Sequence, residues 1–263
     1  PRVTRTLRGV WLGRRTYGAV HELQQQLLAA RQQQLIGDTV LLLEHEPVIT
    51  LGRGAKLEHV LLSKSLLTER GIELFEVGRG GDVTLHAPGQ LVGYPIISLA
   101  PDRQDIRRYV GDLTKTMGDL VAAHGIGAGA IPNAPEFIGL WVDAAAPARW
   151  PGPEEARRLL KIGAIGVRVS RWVTMHGFAL NLTTDLSLFQ LIVPCGITKY
   201  GVASVESLTG VCVDAASASK QALESLCGRL DASGTWEDAA SLSLPELHRE
   251  LGLQHLDELT DAP

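Results

Sequence analysis

Cysteine is scarce in this chain of 263 residues: Cys195, Cys212 and Cys227 are all there are. They stand 17 and 15 residues apart with no C-x-x-C pair, which excludes a disulfide framework and a zinc ribbon. A basic excess is lacking too. With 25 Lys and Arg against 29 Asp and Glu the net charge is −4, so the chain has no electrostatic footprint for nucleic acid. The pairs Arg14-Arg15, Arg107-Arg108 and Arg157-Arg158 read as solvated faces. No apolar run approaches the ~18 residues of a membrane helix, so no membrane span is expected. Arg2, Arg5 and Arg8 are not followed by the apolar stretch of a secretory signal. Together with the few cysteines, this leads us to expect a cytoplasmic protein.

Several catalytic signatures are missing as well. There is no P-loop, Gly78, Gly80 and Gly81 do not make G-x-G-x-x-G, and no G-x-S-x-G elbow occurs. The histidines show neither H-E-x-x-H nor H-x-x-x-H spacing, and no metal is expected. Repeats and low-complexity tracts are absent.

What is present is ordinary globular composition, 45% hydrophobic and 21% charged, in a chain long enough to bury a core unaided. Tyr17, Val20, Leu23, Leu27 and Ala30 recur at helical spacing and predict a helix over 16–34. Ile106, Tyr109, Val110, Leu113, Met117, Leu120 and Val121 predict a second over 105–124, stopped at Gly125. Strands are expected at 39–43 and 48–51. A hairpin is expected from 83–86 and 91–97 around Pro88-Gly89, and another from 162–170 and 177–182. Strands in groups with helices between them suggest an α+β fold with a mixed β-sheet flanked by helices. Residues 144–160, rich in Ala, Pro and Arg, read as a surface insertion and a disordered loop. After 210, two modest helices carry Leu223, Leu226 and Leu230, then Leu244, Leu247 and Leu251.

Three stretches could hold chemistry. Arg79-Gly80-Gly81-Asp82-Val83-Thr84-Leu85-His86 is either a strand-entry turn with a surface arginine or a place where backbone closely approaches a ligand. Lys161, beside Ile162-Gly163-Ala164-Ile165-Gly166, is either a solvent-facing residue or an ammonium held over a narrow apolar slot. Cys195 lies in a Pro-Cys-Gly turn and is the best nucleophile candidate, whereas Cys212 reads as a core strand cysteine and Cys227 as a buried helix cysteine. His86 and His176, each near glycine, could share a pocket or serve only as structure.

In combination these stretches resemble the octanoyl transferases of lipoate assembly, the lipoate–protein ligase B family. The resemblance is carried by Leu41 to His45, Thr50 to Arg53, Arg79 to Gln90, Tyr94-Pro95-Ile96, Lys161 to Gly166, Arg171-Trp172-Val173, His176 to Asn181 and Val193 to Ile197, and it covers roughly 10–210. It implies the fold of biotin and lipoate protein ligases, with residues 1–210 as the catalytic domain and 211–263 as a helical extension packed on it. It also implies transfer of octanoate from acyl carrier protein to a lysine of a lipoyl domain, with Cys195 as acyl carrier and Lys161 as the lysine that tunes it. The implied substrate-binding segments are Arg79 to His86, Ala164-Ile165-Gly166 and Gly177-Phe178-Ala179. The implied partners are octanoyl-acyl carrier protein, the lipoyl domains of 2-oxoacid dehydrogenase complexes and the glycine cleavage H protein. A monomer without cofactor is expected.

The residue types suit that chemistry. A thiol of pKa ~8.5 is a few per cent thiolate at neutral pH, and lowering it by two units takes about 2.7 kcal/mol, which one close ammonium can supply. Small residues suit a slot for a linear chain, each buried methylene contributing about 0.8 kcal/mol. The stretch between Trp141 and Lys161 and the region after 210 are both longer than the family pattern, which leaves partner specificity open. Two other readings stand beside this one: an ATP-dependent ligase of the same fold, which needs no nucleophilic cysteine, and a non-catalytic acyl-binding protein.

Overall fold

The computed structural model describes residues 5–193 and 200–254, so Cys195 and its Pro194 to Ile197 turn lie outside the described residues. Strand β1 (Arg5–Arg15) leads to helix α1 (Tyr17–Gln32), strand β2 (Asp38–His45) and strand β3 (Val48–Leu51). Helix α2 (Lys64–Glu69), strand β4 (Glu73–Glu76), strand β5 (Val83–His86), strand β6 (Gln90–Ile96) and helix α3 (Ile106–Ala122) follow. Next come strands β7 (Ala128–Gly129), β8 (Gly139–Asp143), β9 (Leu159–Ser170), β10 (Val173–Asn181) and β11 (Gly201–Val202). Helices α4 (Val205–Thr209) and α5 (Ala215–Leu230), strand β12 (Ala232–Asp238) and helix α6 (Leu244–Glu250) complete the order.

The main sheet runs β12-β1-β2-β6-β10-β9-β8-β7, with β11 also paired to β9, and a small sheet runs β4-β3-β5. The pairings β12–β1–β2 and β11–β9 are parallel and the rest of the main sheet is antiparallel, so the sheet is mixed. Alternation explains why it is covered on both faces. On β2, Val40 and Leu42 join the core with α3 and α5, while Leu41 and Leu43 join the core with α1 and α6. A third, smaller core lies under the small sheet and contains Ile49, Leu67 and Leu85.

Both predicted helices are present, and Asp105 caps α3 by accepting from Arg108 N–H. The pairing of β9 with β10 is the expected second hairpin. The first hairpin is not formed. β5 pairs with β3 in the small sheet, whereas β6 pairs with β2 and β10 in the main one. The turn between them, with Gly89 at φ +82°, crosses between sheets. The Glu44 carboxylate accepts Gly89 N–H at 2.6 Å, and Gly89 O accepts from Leu182 and Thr183. Those partners are distant in sequence, so a turn signal alone predicted the wrong pairing.

Three further expectations change. Cys212 is exposed in the loop after α4, not a core strand residue, while Cys227 is buried on α5 as expected. The stretch after 210 is not purely helical, because β12 adds a parallel edge strand to β1. Of the expected 144–160 insertion, 144–158 is a loop with a hydrogen-bonded path and 159–160 belong to β9. The Asp143 carboxylate accepts N–H groups of Ala145, Arg157 and Arg158, and Gly127 N–H donates to Pro147 O. Among the described residues no helix is long and apolar enough to cross a membrane.

Candidate active site

A cleft of about 180 Å³ opens between the 79–84 loop, β9 and the first turns of α3. Arg79, Gly80, Gly81, Asp82, Val83, Thr84, Lys161, Ala164, Ile165, Gly166 and Ala179 line it, so the expected stretches converge here despite their separation in sequence. A narrower inner slot of about 40 Å³ shares Arg79, Thr84, Ala164, Ile165, Gly166 and Ala179 with the cleft. It adds His86, His176, Gly177 and Phe178, so the two histidines do share a pocket. Of the expected substrate-binding residues, Leu85 lines neither space. β-alternation sends Thr84 and His86 toward the slot and Leu85, fully buried, into the small core.

The loop that carries Arg79 is held from inside. The Arg79 side chain is buried; its Nε donates to Thr50 Oγ1 at 3.1 Å and its Nη2 to Thr50 O at 2.7 Å. It is therefore not the surface arginine of the blander reading. Its charge serves the loop and the electrostatics of the slot.

Lys161 sits on β9 opposite Trp141 of β8 and Val202 of β11. Its Nζ lies 5.5 Å from the Trp141 ring centroid, within the range in which an aromatic face favours an ammonium. Trp141 in turn packs edge to face with Phe137 and Tyr200, which also meet each other. Gly139 makes room: at φ +144°, a Cβ there would stand 2.6 Å from Lys161 Cε. Val202 is the far flank of the segment that contains Cys195. On the near flank, Val193 N–H donates to His59 O at 2.8 Å.

The inner slot is walled by neutral rings. Burial pushes His45 down to about 3, with His86 adding to the effect. Burial likewise takes His86 to about 4 and His176 to about 3. Tyr17 is raised by burial to about 12, and Tyr94 is raised well above its ordinary value for the same reason. Hydrogen bonds assign the tautomers. His45 Nδ1–H donates to Arg15 O, so its Nε2 accepts from the Tyr94 hydroxyl at 2.9 Å. Gln90 Nε2 donates to Leu85 O and Asn181 Oδ1, which turns Gln90 Oε1 to accept from His86 Nδ1–H at 2.7 Å. His176 holds φ +57°, a sparsely populated conformation stabilised by its N–H bond to Gln24 Oε1. The His86, His176, Tyr17 and Tyr94 rings on the slot wall are thus held neutral by burial, while the Arg79 guanidinium on the same wall is hydrogen-bonded to Thr50.

Some lining residues were not singled out from sequence. Tyr17 and Val110 read as core positions on helical spacing, yet Tyr17 lines the slot and Val110 the cleft. Pro135, Glu136, Ile138, Phe189 and Val202 carry no motif signal, because only tertiary pairing brings them to the rim. Among the described residues no group of three or more His, Cys, Asp or Glu could hold a metal.

Gly166 is one of the residues that the two spaces share, and a Cβ there would meet Arg79 Cδ at 3.0 Å and Gly80 O at 3.1 Å. Gly166→Val is expected to narrow both spaces and to raise the half-saturating concentration of a ligand that spans them at least about tenfold, with chemistry at saturation less affected. Unchanged saturation kinetics in a folded variant would remove Gly166 from the ligand's path.

Comparison with known proteins gives a consistent result. Residues 16–227 match the model of the lipoyl protein ligase A/B catalytic domain. An octanoyltransferase of Myxococcus xanthus is 47% identical over 220 residues, 84% of this chain but 58% of that protein, so the chain spans less than two thirds of its length. Octanoyltransferases of Solibacter usitatus and Chloroflexus aggregans are 48% and 41% identical, with 77% and 96% of their lengths covered. Among solved structures, the bipartite lipoate protein ligase of Thermoplasma acidophilum superposes with a TM-score of 0.66 at 14% identity, covering 95% of this chain and 93% of that one. Lipoate-protein ligase A bound with ATP gives 0.62 at 15%, covering 96% and 95%. These two establish the fold alone. With the mixed sheet, the converging motifs and relatives above 40% identity, the chain belongs to the lipoyl protein ligase A/B catalytic-domain family, among its octanoyltransferases.

Proposed function

We propose that this chain transfers an octanoyl group from octanoyl-acyl carrier protein to a lysine of a lipoyl domain through a thioester on Cys195, with Lys161 moving the protons. The observation that carries the reading is the apolar cleft with Lys161 at its wall and both described flanks of the Cys195 segment attached beside it. Acceptors would be the lipoyl domains of 2-oxoacid dehydrogenase complexes and the glycine cleavage H protein.

The cycle balances without an outside reagent. Cys195 thiolate attacks the octanoyl carbonyl, the bond to the pantetheine sulfur breaks, and that sulfur leaves with a proton from the Lys161 ammonium. The acceptor amine then attacks the octanoyl-Cys195 carbonyl, neutral Lys161 takes its proton, and the amide forms as Cys195 thiolate departs. The starting thiolate and ammonium are restored. The donor thioester supplies the driving force, so ATP is not required. The pair titrates as a unit, since each charge favours the other.

Intact mass after incubation with octanoyl-acyl carrier protein, without ATP, tests this. Wild type is expected to gain one octanoyl group that hydroxylamine removes, and Cys195→Ala none. An equal adduct on the variant, or transfer that requires ATP, would favour the ligase mechanism. Octanoyl binding without an adduct or turnover would favour an acyl-binding protein.

A further inference from the structure

Gln90 and Asn181 line the cleft and are cross-strand partners on β6 and β10, both buried. A chain of hydrogen bonds runs through them in one direction. His86 Nδ1–H donates to Gln90 Oε1, Gln90 Nε2 donates to Asn181 Oδ1 at 2.9 Å, and Asn181 Nδ2 donates to Ala203 O at 3.0 Å. Ala203 N–H in turn donates to Lys161 O at 2.9 Å. The chain therefore joins a ring of the inner slot to the backbone of the cleft lysine. That stretch of β9 is weakly held by its ladders. The pairing with β10 ends at Gly163, opposite Leu180. The pairing with β8 shifts register from Leu140 opposite Gly163 to Trp141 opposite Lys161, skipping Ile162, an irregularity of the kind that re-aims a side chain. β11 meets β9 through Gly201 and Val202 alone. Ala203 follows directly, buried, and uses both its N–H and its C=O in this chain.

We propose that Asn181 is a positioning residue for Lys161: its carboxamide holds Ala203, and Ala203 holds the lysine's stretch of β9 at the cleft. The inference rests on the reading of Lys161 as the acid and base of the transfer. An amide suits the place because its oxygen accepts while its nitrogen donates, so Asn181 serves Gln90 and Ala203 at once. Gln90 fixes which way that amide faces, since its own nitrogen is engaged with Leu85 O and Asn181 Oδ1. Leucine at 181 has nearly the same size and neither function. It would leave the buried Ala203 carbonyl and a Gln90 N–H without their partner, and the short β11 pairing would remain as the hold on that side. An ångström of misplacement in a reacting group costs up to about 100-fold in rate.

The test uses the full chain with Asn181→Leu, Gln90→Leu, Lys161→Ala and the Lys161→Ala/Asn181→Leu pair. Single-turnover acylation and KM are measured with two donors, octanoyl-acyl carrier protein and the octanoyl thioester of 4-nitrothiophenol, together with the thermal midpoint. The second thiol is acidic and leaves without a proton, so its transfer does not need the lysine as acid. Asn181→Leu is expected to lower acylation by octanoyl-acyl carrier protein about 10- to 100-fold with KM within about threefold. With the acidic donor it is expected to stay within about threefold of wild type, because the ammonium charge acts over a longer range than proton transfer. Gln90→Leu leaves the bond from Asn181 to Ala203 in place. It is expected to lose less, with the same recovery on the acidic donor, and it carries the test where Asn181→Leu does not fold. The double variant is expected to be no slower than Lys161→Ala alone. Wild-type acylation in Asn181→Leu, a loss shared equally by both donors, a loss carried by KM, or rates that follow the thermal midpoint would overturn the inference. Wild-type turnover in Lys161→Ala would instead overturn the role of the lysine, so the two failures are distinguishable.

Discussion

Lys161→Ala is expected to lower octanoyl transfer by about 10²- to 10⁴-fold, the range for loss of a positioned acid and base. The side chain is aligned by two strands, with Trp141 and Val202 as its register partners, and it lines the cleft. In the proposed cycle both half-reactions depend on it, the first for protonating the departing sulfur and the second for accepting the amine proton. Lys161→Arg separates charge from proton transfer. A guanidinium keeps the positive charge but does not give up its proton, so the arginine variant should retain fast alkylation of Cys195 yet remain defective in turnover. A donor with an acidic thiol leaving group should restore the first half-reaction in Lys161→Ala and leave the second slow. Turnover above about a tenth of wild type in Lys161→Ala would remove this lysine from the mechanism.

Acidification from pH 7.5 to 5 is expected to destabilise the fold by up to roughly 6 kcal/mol through His45, His86 and His176 alone. Their folded-state values, about 3, 4 and 3, lie below the ordinary 6.5 because burial resists charging. Between pH 6.5 and about 4 the unfolded chain binds protons that the folded chain refuses. Stability is therefore fully present above pH 6.5 and lost as the pH falls. Each such histidine contributes a slope of up to about 1.4 kcal/mol per pH unit. Asp185, Asp214 and Glu246 are held below the ordinary carboxylate range by hydrogen bonds from Ser187, Ser217 and Ser243, so they act at lower pH. Urea midpoints at pH 7.5, 6 and 5 check the effect. A constant midpoint, or the same fall in a folded His86→Gln variant, would assign the acid sensitivity elsewhere. A chain with total stability of about 5–15 kcal/mol cannot absorb the full loss unnoticed.

The physical character of the site explains which features could be read in advance. Helices α1 and α3 announced themselves through apolar spacing, because a helix presents neighbours three and four residues apart on one face. The same spacing made Tyr17 and Val110 look like core residues. Burial against protein and burial against a slot leave the same mark in a sequence. Of the run from Arg79 to His86, every residue but Leu85 lines the cleft or the slot, because strand alternation turns Leu85 into the small core. Pro88-Gly89 marked a turn and not its consequence, since Glu44, Leu182 and Thr183 decide where the chain goes next.

From residues alone came the amphipathic helices, the α+β class, the glycine-bracketed motifs and, by their order, the family resemblance. All of these rest on neighbours in the chain or on residue type. The three-dimensional arrangement decided that β5 and β6 part company, that β12 extends the sheet, and that Lys161 stands beside Val202 across 41 residues. It also brought the His59 ring to Asp82 of the loop that lines the cleft and the His59 carbonyl to Val193 N–H. Strand register is set by hydrogen bonds and packing between distant segments, and no local pattern encodes which partner a strand will find.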